Sequence, residues 1–114
     1  MDVVEVLEKA KERLRGHWCQ GTYAMRDDGS QCPTLTPGCR VRAHGAIMSL
    51  YLPGERPAKV GAVELLNEAT KQISGGQYTH APSYNDTEGR TEEEVLALFD
   101  KAIELAKAEE VNAK

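Results

Sequence analysis

Two short signatures hold the residues able to do chemistry. Trp18-Cys19-Gln20-Gly21 and Tyr84-Asn85-Asp86, together with His44, supply a thiol, an amide, a carboxylate and an imidazole. A cysteine nucleophile needs a base to hold the thiolate and a third group to orient that base. Cys19, a histidine and Asn85 or Asp86 are such a set, suited to a hydrolase or transferase acting on an amide or ester. His17, His44 and His80 are all available as the base, and chain order does not choose among them; Cys19, His44 and Asp86 are the catalytic candidates. The plainer reading makes Cys19 a small packing residue, Trp18 the anchor of the first helix, Gln20-Gly21 its exit turn, and Asn85-Asp86 an Asx turn or short helical turn.

Binding and metal ligation draw on the same neighbourhood. Aromatic, amide, carboxylate and guanidinium groups concentrate between Tyr84 and Arg90. Facing the tryptophan loop, the set Trp18, Cys19, Gln20, His44, Tyr84, Asn85, Asp86 and Arg90 suits a small polar ligand or a protein partner. Cys32, Cys39 and His44, with Cys19 as a fourth, have the chemistry of a structural zinc site and would make a zinc-stabilised interaction module. No Cys-x-x-Cys or His-x-x-x-His pair preorganises them, so the expectation is no metal and no cofactor. Gly75-Gly76 reads as a helix stop, and no phosphate-loop or dinucleotide fingerprint is present.

The elements that must position these groups are mostly helical. Val3, Leu7, Ala10 and Leu14 share one face between charged residues, predicting a helix over residues 2 to 15 that Gly16 stops. Thr36-Pro37 reads as an N-cap and first helical residue, with Cys39, Ala43, Ala46, Ile47 and Leu50 on one side before Pro53. Val63, Leu66, Ala69 and Ile73 predict a third helix, and the capping box Thr91-Glu94 opens a fourth with the stripe Val95, Phe99, Ala102, Ile103 and Ala106, running to about residue 109. Between the first two, Thr22 to Met25 and the Asp28-Gly29 turn predict a small hairpin with Gln31 and Cys32 on its return arm. Residues 77 to 90 read as an irregular connection.

Composition bounds the partners. The 114 residues carry a net charge of −4, which gives no general attraction to nucleic-acid phosphate. Residues 13 to 59 nonetheless hold seven Lys/Arg against three Asp/Glu, leaving room there for an anionic ligand or acidic partner. No apolar run is long enough for a bilayer, no signal peptide opens the chain, and three cysteines cannot all pair internally. A cytoplasmic protein with reduced thiols is expected.

Trp18-Cys19-Gln20-Gly21, Asp28-Gly29, Gly45-Ala46-Ile47, Asn85-Asp86 and the run from Gly89 to Val95 resemble, in that order, an uncharacterised family of small proteins from actinobacteria and their bacteriophages. Sequences of that kind often place a tryptophan before the Asn-Asp pair and a cysteine three residues before the Gly-Ala pair; here the positions are Tyr84 and Arg42, so the aromatic character is kept and the thiol is not. The resemblance implies a protein of the host cytoplasm, plausible as a phage product, and brings no established activity.

The expected architecture is mainly α: a compact bundle of about four helices with a small β-hairpin or irregular insert after helix 1, one domain over residues 1–109 and a frayed tail at 110–114. The expected role is binding without chemistry, an accessory protein recognising a host protein or small polar ligand, with host modulation or anti-defence as the corresponding biology. No nucleic-acid or membrane partner is expected, while an apolar stripe on the first or last helix can equally serve as the seam of a homo-oligomer.

Overall fold

A computed structural model describes residues 2–20, 24–26, 30, 40–48 and 56–112, and for residues 24, 44, 56, 57 and 110–112 it describes the backbone alone. The elements are α1 (Val3–Leu14), β1 (Ala24–Met25), β2 (Arg40–Val41), α2 (Ala43–Met48), α3 (Arg56–Ile73), α4 (Ala81–Asn85) and α5 (Glu92–Asn112). The fold is mainly helical, as the periodicity predicts.

Local chemistry sets the helix ends. Asp2 Oδ1 accepts from the Glu5 N–H at 2.9 Å and so satisfies one of the donors that a helix start leaves open. Gly16, at φ 76°, takes the chain out of α1 in a conformation that a side chain would strain. Gly76 ends α3, its N–H reaching back to the Lys71 carbonyl at 2.8 Å in a Schellman-type closure. The capping box forms as predicted: Glu94 N–H donates to Thr91 Oγ1 at 3.2 Å, and Thr91 N–H to Glu94 Oε1 at 3.0 Å.

Three long helices build the core. Helix α3 packs on α5, and α1 packs on both. Leu7, Leu14, Leu66, Val95, Leu98 and Phe99 are fully or almost fully buried there, with Ala10, Ala62, Ala69, Ala102 and Ala106 between them. The small side chains let the helix axes approach closely, which suits a chain with a single phenylalanine. The buried hydroxyl of Thr70 is satisfied within its own helix by the Leu66 carbonyl at 2.8 Å. Lys11 to Asp100 at 2.5 Å, and Gly16 N–H to Glu92 Oε2 at 3.1 Å, tie α1 to α5 at the surface.

Several expectations change. Helix α2 begins at Ala43, because Arg40 and Val41 are extended and pair with Met25 and Ala24. The Thr36-Pro37 start and Cys39 lie outside the described residues. The antiparallel partner of β1 is therefore β2; the Arg26 N–H donates to the Ser30 carbonyl at 2.7 Å, and both the Asp28-Gly29 turn and the expected return arm at Gln31 and Cys32 lie outside the described residues. A fifth helix, α4, occupies the segment read as irregular. Pro82 suits its first turn, and its first N–H is capped from α3 by Asn67 Oδ1 at 2.8 Å, a contact that no local pattern encodes. In α3 the buried face is rotated from the predicted stripe: Ala62, Leu65 and Thr70 are inside, Val63 is half-buried and Ile73 is exposed. Helix α5 continues to Asn112, three residues past its expected end.

Removing the cap by Thr91→Ala should cost about 1 kcal/mol and lower the melting temperature by roughly 4 °C. Hydrogen bonds from Arg90 and from the Thr91 N–H hold the Glu94 carboxyl below its ordinary value of 4.5. Because the folded chain binds this proton less readily than the unfolded chain, the stabilisation is complete above that pH and is lost as the pH falls through the folded value. Urea titrations from pH 6 to 3 should show the gap between wild type and Glu94→Gln closing at the acid end.

Candidate functional site: a buried amide joining three segments

The site starts where α1 stops. After Gly16 the chain runs extended beside β2, with Val41 N–H donating to the His17 carbonyl at 2.6 Å and Cys19 N–H to the Val41 carbonyl at 2.9 Å. Trp18 thus bridges Val41 in parallel while β1 pairs with β2 in the antiparallel sense. This pairing buries Cys19 and leaves Trp18 half-buried against the core.

Helix α4 delivers Asn85 into this junction, fully buried. Its Oδ1 accepts from Trp18 Nε1 at 2.8 Å and from the Ala43 N–H at 3.0 Å. Its Nδ2 donates to the Cys19 carbonyl at 3.0 Å and to Asp86 Oδ1 at 2.9 Å. Two donors converge on one end and two acceptors on the other, so only one orientation of the amide fits. Both capacities of each end are used. Ala43 is the first residue of α2, which has no Ser, Thr, Asp or Asn at its own start, and Asn85 caps it from a different part of the chain.

A shell of charged and aromatic groups holds the amide in place. Gln20 Nε2 donates to the carbonyls of Asn85 and Thr87 at 2.9 and 2.8 Å, satisfying acceptors at and beyond the end of α4. Asp86 Oδ2 pairs with Arg42 Nη1 at 2.7 Å, with both side chains largely sheltered. Arg90 lies 3.6 Å over the centre of the Tyr84 ring, donates to the Tyr84 carbonyl at 2.9 Å and pairs with Glu94 at 2.8 Å. Tyr78, in the link between α3 and α4, packs edge-on with Tyr84, the ring centres 5.9 Å apart.

The structure therefore brings together Trp18, Cys19, Gln20, Asn85 and Asp86, with Tyr84 and Arg90 behind them on the α5 side. Burial and the nearby Asp86 carboxylate push the Cys19 thiol up to about 11, the reverse of what an attacking thiolate needs. The Asp86 carboxylate is committed to Arg42 and Asn85. His17 and His80 are exposed, their Nδ1 atoms within hydrogen-bonding distance of the Arg15 carbonyl at 3.1 Å and Thr79 Oγ1 at 2.9 Å. His44 lies in α2, with its side chain outside the described residues. Cys32 and Cys39 also lie outside them, and among the described residues no three His, Cys, Asp or Glu side chains are placed to hold a metal ion. Sequence reasoning missed Arg42, Thr87 and Asn67. Arg42 drew notice only as a lost thiol, although a cation between Val41 and Ala43 was a signal that it had an acidic partner.

Asn85→Ala should cost about 3 kcal/mol or more in urea denaturation, because it strands the indole N–H, the Ala43 N–H and the Cys19 carbonyl together. Trp18→Phe, which keeps the ring and removes one donor, should cost about 1 kcal/mol. The double variant should lose less than the sum, since both changes break the same bond.

No curated protein and no solved structure matches the chain. The model of a family of unknown function (DUF6197) matches residues 1–105, most of the chain and all the groups just described, and the chain belongs to that family.

Proposed function

We propose that this protein acts by binding, without covalent chemistry, and that its partner is a macromolecule and not a small polar metabolite. The observation that carries the reading is the saturation of Asn85. Trp18, Gln20, Asn85 and Asp86 spend hydrogen bonds on one another, on Arg42 and on the backbone. A catalytic or ligand site keeps polar groups poised for something that is absent between turnovers; the Asn85 amide at the centre of this cluster has all its positions filled from within the chain. Its rigidity supports a scaffold that holds α2, α4 and the Trp18 strand in fixed register, so that recognition falls to the outer surface. If the chain is encoded by a phage of an actinobacterium, a host protein is the natural partner, and modulation of a host enzyme or defence is the corresponding role.

Two measurements test this. With its thiol at about 11, Cys19 in the folded protein should react with iodoacetamide at neutral pH about 100-fold or more slowly than in urea, followed residue by residue by mass spectrometry. Labelling as fast as in the unfolded chain would restore the cysteine-dependent reading. Native mass spectrometry of untagged protein from an actinobacterial host should show no small molecule at defined stoichiometry, and a retained metabolite would replace the macromolecular partner.

A further inference from the structure

Away from the Asn85 cluster, and sharing no residue with it, a groove of about 600 Å³ runs along the packed faces of α3 and α5 beside the start of α1. Val3, Leu65, Leu105 and Ala108 form the apolar part of its lining. Glu64, Glu68 and Glu109 line it as well. Gly61 closes the α1 end: a Cβ there would sit 3.0 Å from Val3 Cγ2, so the first turn of α1 lies directly on the α3 backbone.

We infer that this groove is a docking site for a basic amphipathic helix of a partner protein. The inference rests on the binding reading above and adds the location and chemistry of the contact. A channel between two helices accepts a third through apolar anchors at helical spacing. From Gly61 to Gln72 it is about 16 Å long, or roughly three helical turns. The carboxylates choose the occupant. Lys71 stands 3.6 Å from Glu68 and offsets part of one charge, whereas Glu64 and Glu109 make no ion pair among the described residues. A second copy of this chain seated symmetrically would bring these glutamates against their own kind, and an anionic lipid surface would be repelled. A helix carrying leucines on one face, flanked by lysine and arginine, meets both the apolar lining and the carboxylates.

The test uses the full chain and a synthetic amphipathic peptide of roughly 18 residues with that pattern, beside a second peptide in which the basic residues are replaced by glutamate. Isotope-detected NMR titration of the wild type should move the amides of Gly61, Leu65, Gln72, Leu105 and Ala108 with the basic peptide, and leave them in place with the acidic one. The double variant Glu64→Lys/Glu109→Lys should weaken binding at least about tenfold, while Glu88→Lys, outside the groove, should change it less than about twofold. Thermal unfolding verifies that each variant folds, and the wild-type shift map stands without the variants. The proposal is overturned by no binding at about 1 mM peptide, by shifts centred elsewhere, by equal weakening from Glu88→Lys, or by a dimer whose contact maps to the groove. Slow Cys19 labelling and the absence of a bound metabolite would leave the general binding reading standing even then.

Discussion

A primary amide cannot be buried cheaply. Removed from water it carries two donors and two acceptor positions, and each one left open costs of the order of 1–3 kcal/mol. Asn85 meets that demand by recruiting the Trp18 indole, the first N–H of α2, the Cys19 carbonyl and the neighbouring Asp86 carboxylate. Three stretches of chain, far apart in sequence, must therefore arrive together before any one of them is satisfied. The pairing of residues 17–19 with Val41, the late start of α2 and the existence of α4 are all consistent with that single requirement.

This constraint carries weight because the rest of the core is built largely from small aliphatic residues. Alanines in the helix contacts allow close packing but bury little apolar area each, and most of the large buried side chains come from α1, α3 and α5, with Ile47 from α2. The short elements add Val41, Ala43, Ala46, Ile47, Ala81 and Tyr84 to that core, few apolar groups for each element. Directional polar contacts add to that burial and fix their register: Asn85 and Gln20 on one side of α4, the Arg42 to Asp86 pair at its end, and Arg90 stacked on Tyr84 against α5. Trp18, Asn85 and Asp86, whose types suggest a catalytic centre, here bond to one another across these elements.

The long helices were legible because their information is local. Gly16, Gly75-Gly76 and the Thr91-Glu94 box mark ends by chemistry within a few residues, and the α1 and α5 stripes have the right period. The errors fall where distant residues decide. Helix α4 is capped by Asn67, α2 is capped by Asn85, and Arg40-Val41 leave the helical pattern because both β1 and the Trp18 segment pair with them. The α3 face was misread by a fraction of a turn because Val63 and Ile73 are apolar but lie at the edge of the packed face, Val63 half-buried against the core and Ile73 exposed. The grouping of Trp18, Gln20, Asn85 and Asp86 was visible in residue types alone. Whether their polar atoms point outward to a ligand or inward to one another depends on side-chain geometry that sequence spacing does not contain.

The central claim is that the cluster is a rigid joint, and native-state amide hydrogen exchange tests it most directly. If Asn85 holds the three segments as one unit, the Ala43 N–H and the Trp18 indole N–H should exchange only through global unfolding, with the same opening free energy and denaturant dependence as core amides of α5 such as Phe99. Exchange of those two groups through a local opening several kcal/mol below the global value, with little denaturant dependence, would contradict the account and return the cluster to the class of mobile, ligand-ready sites.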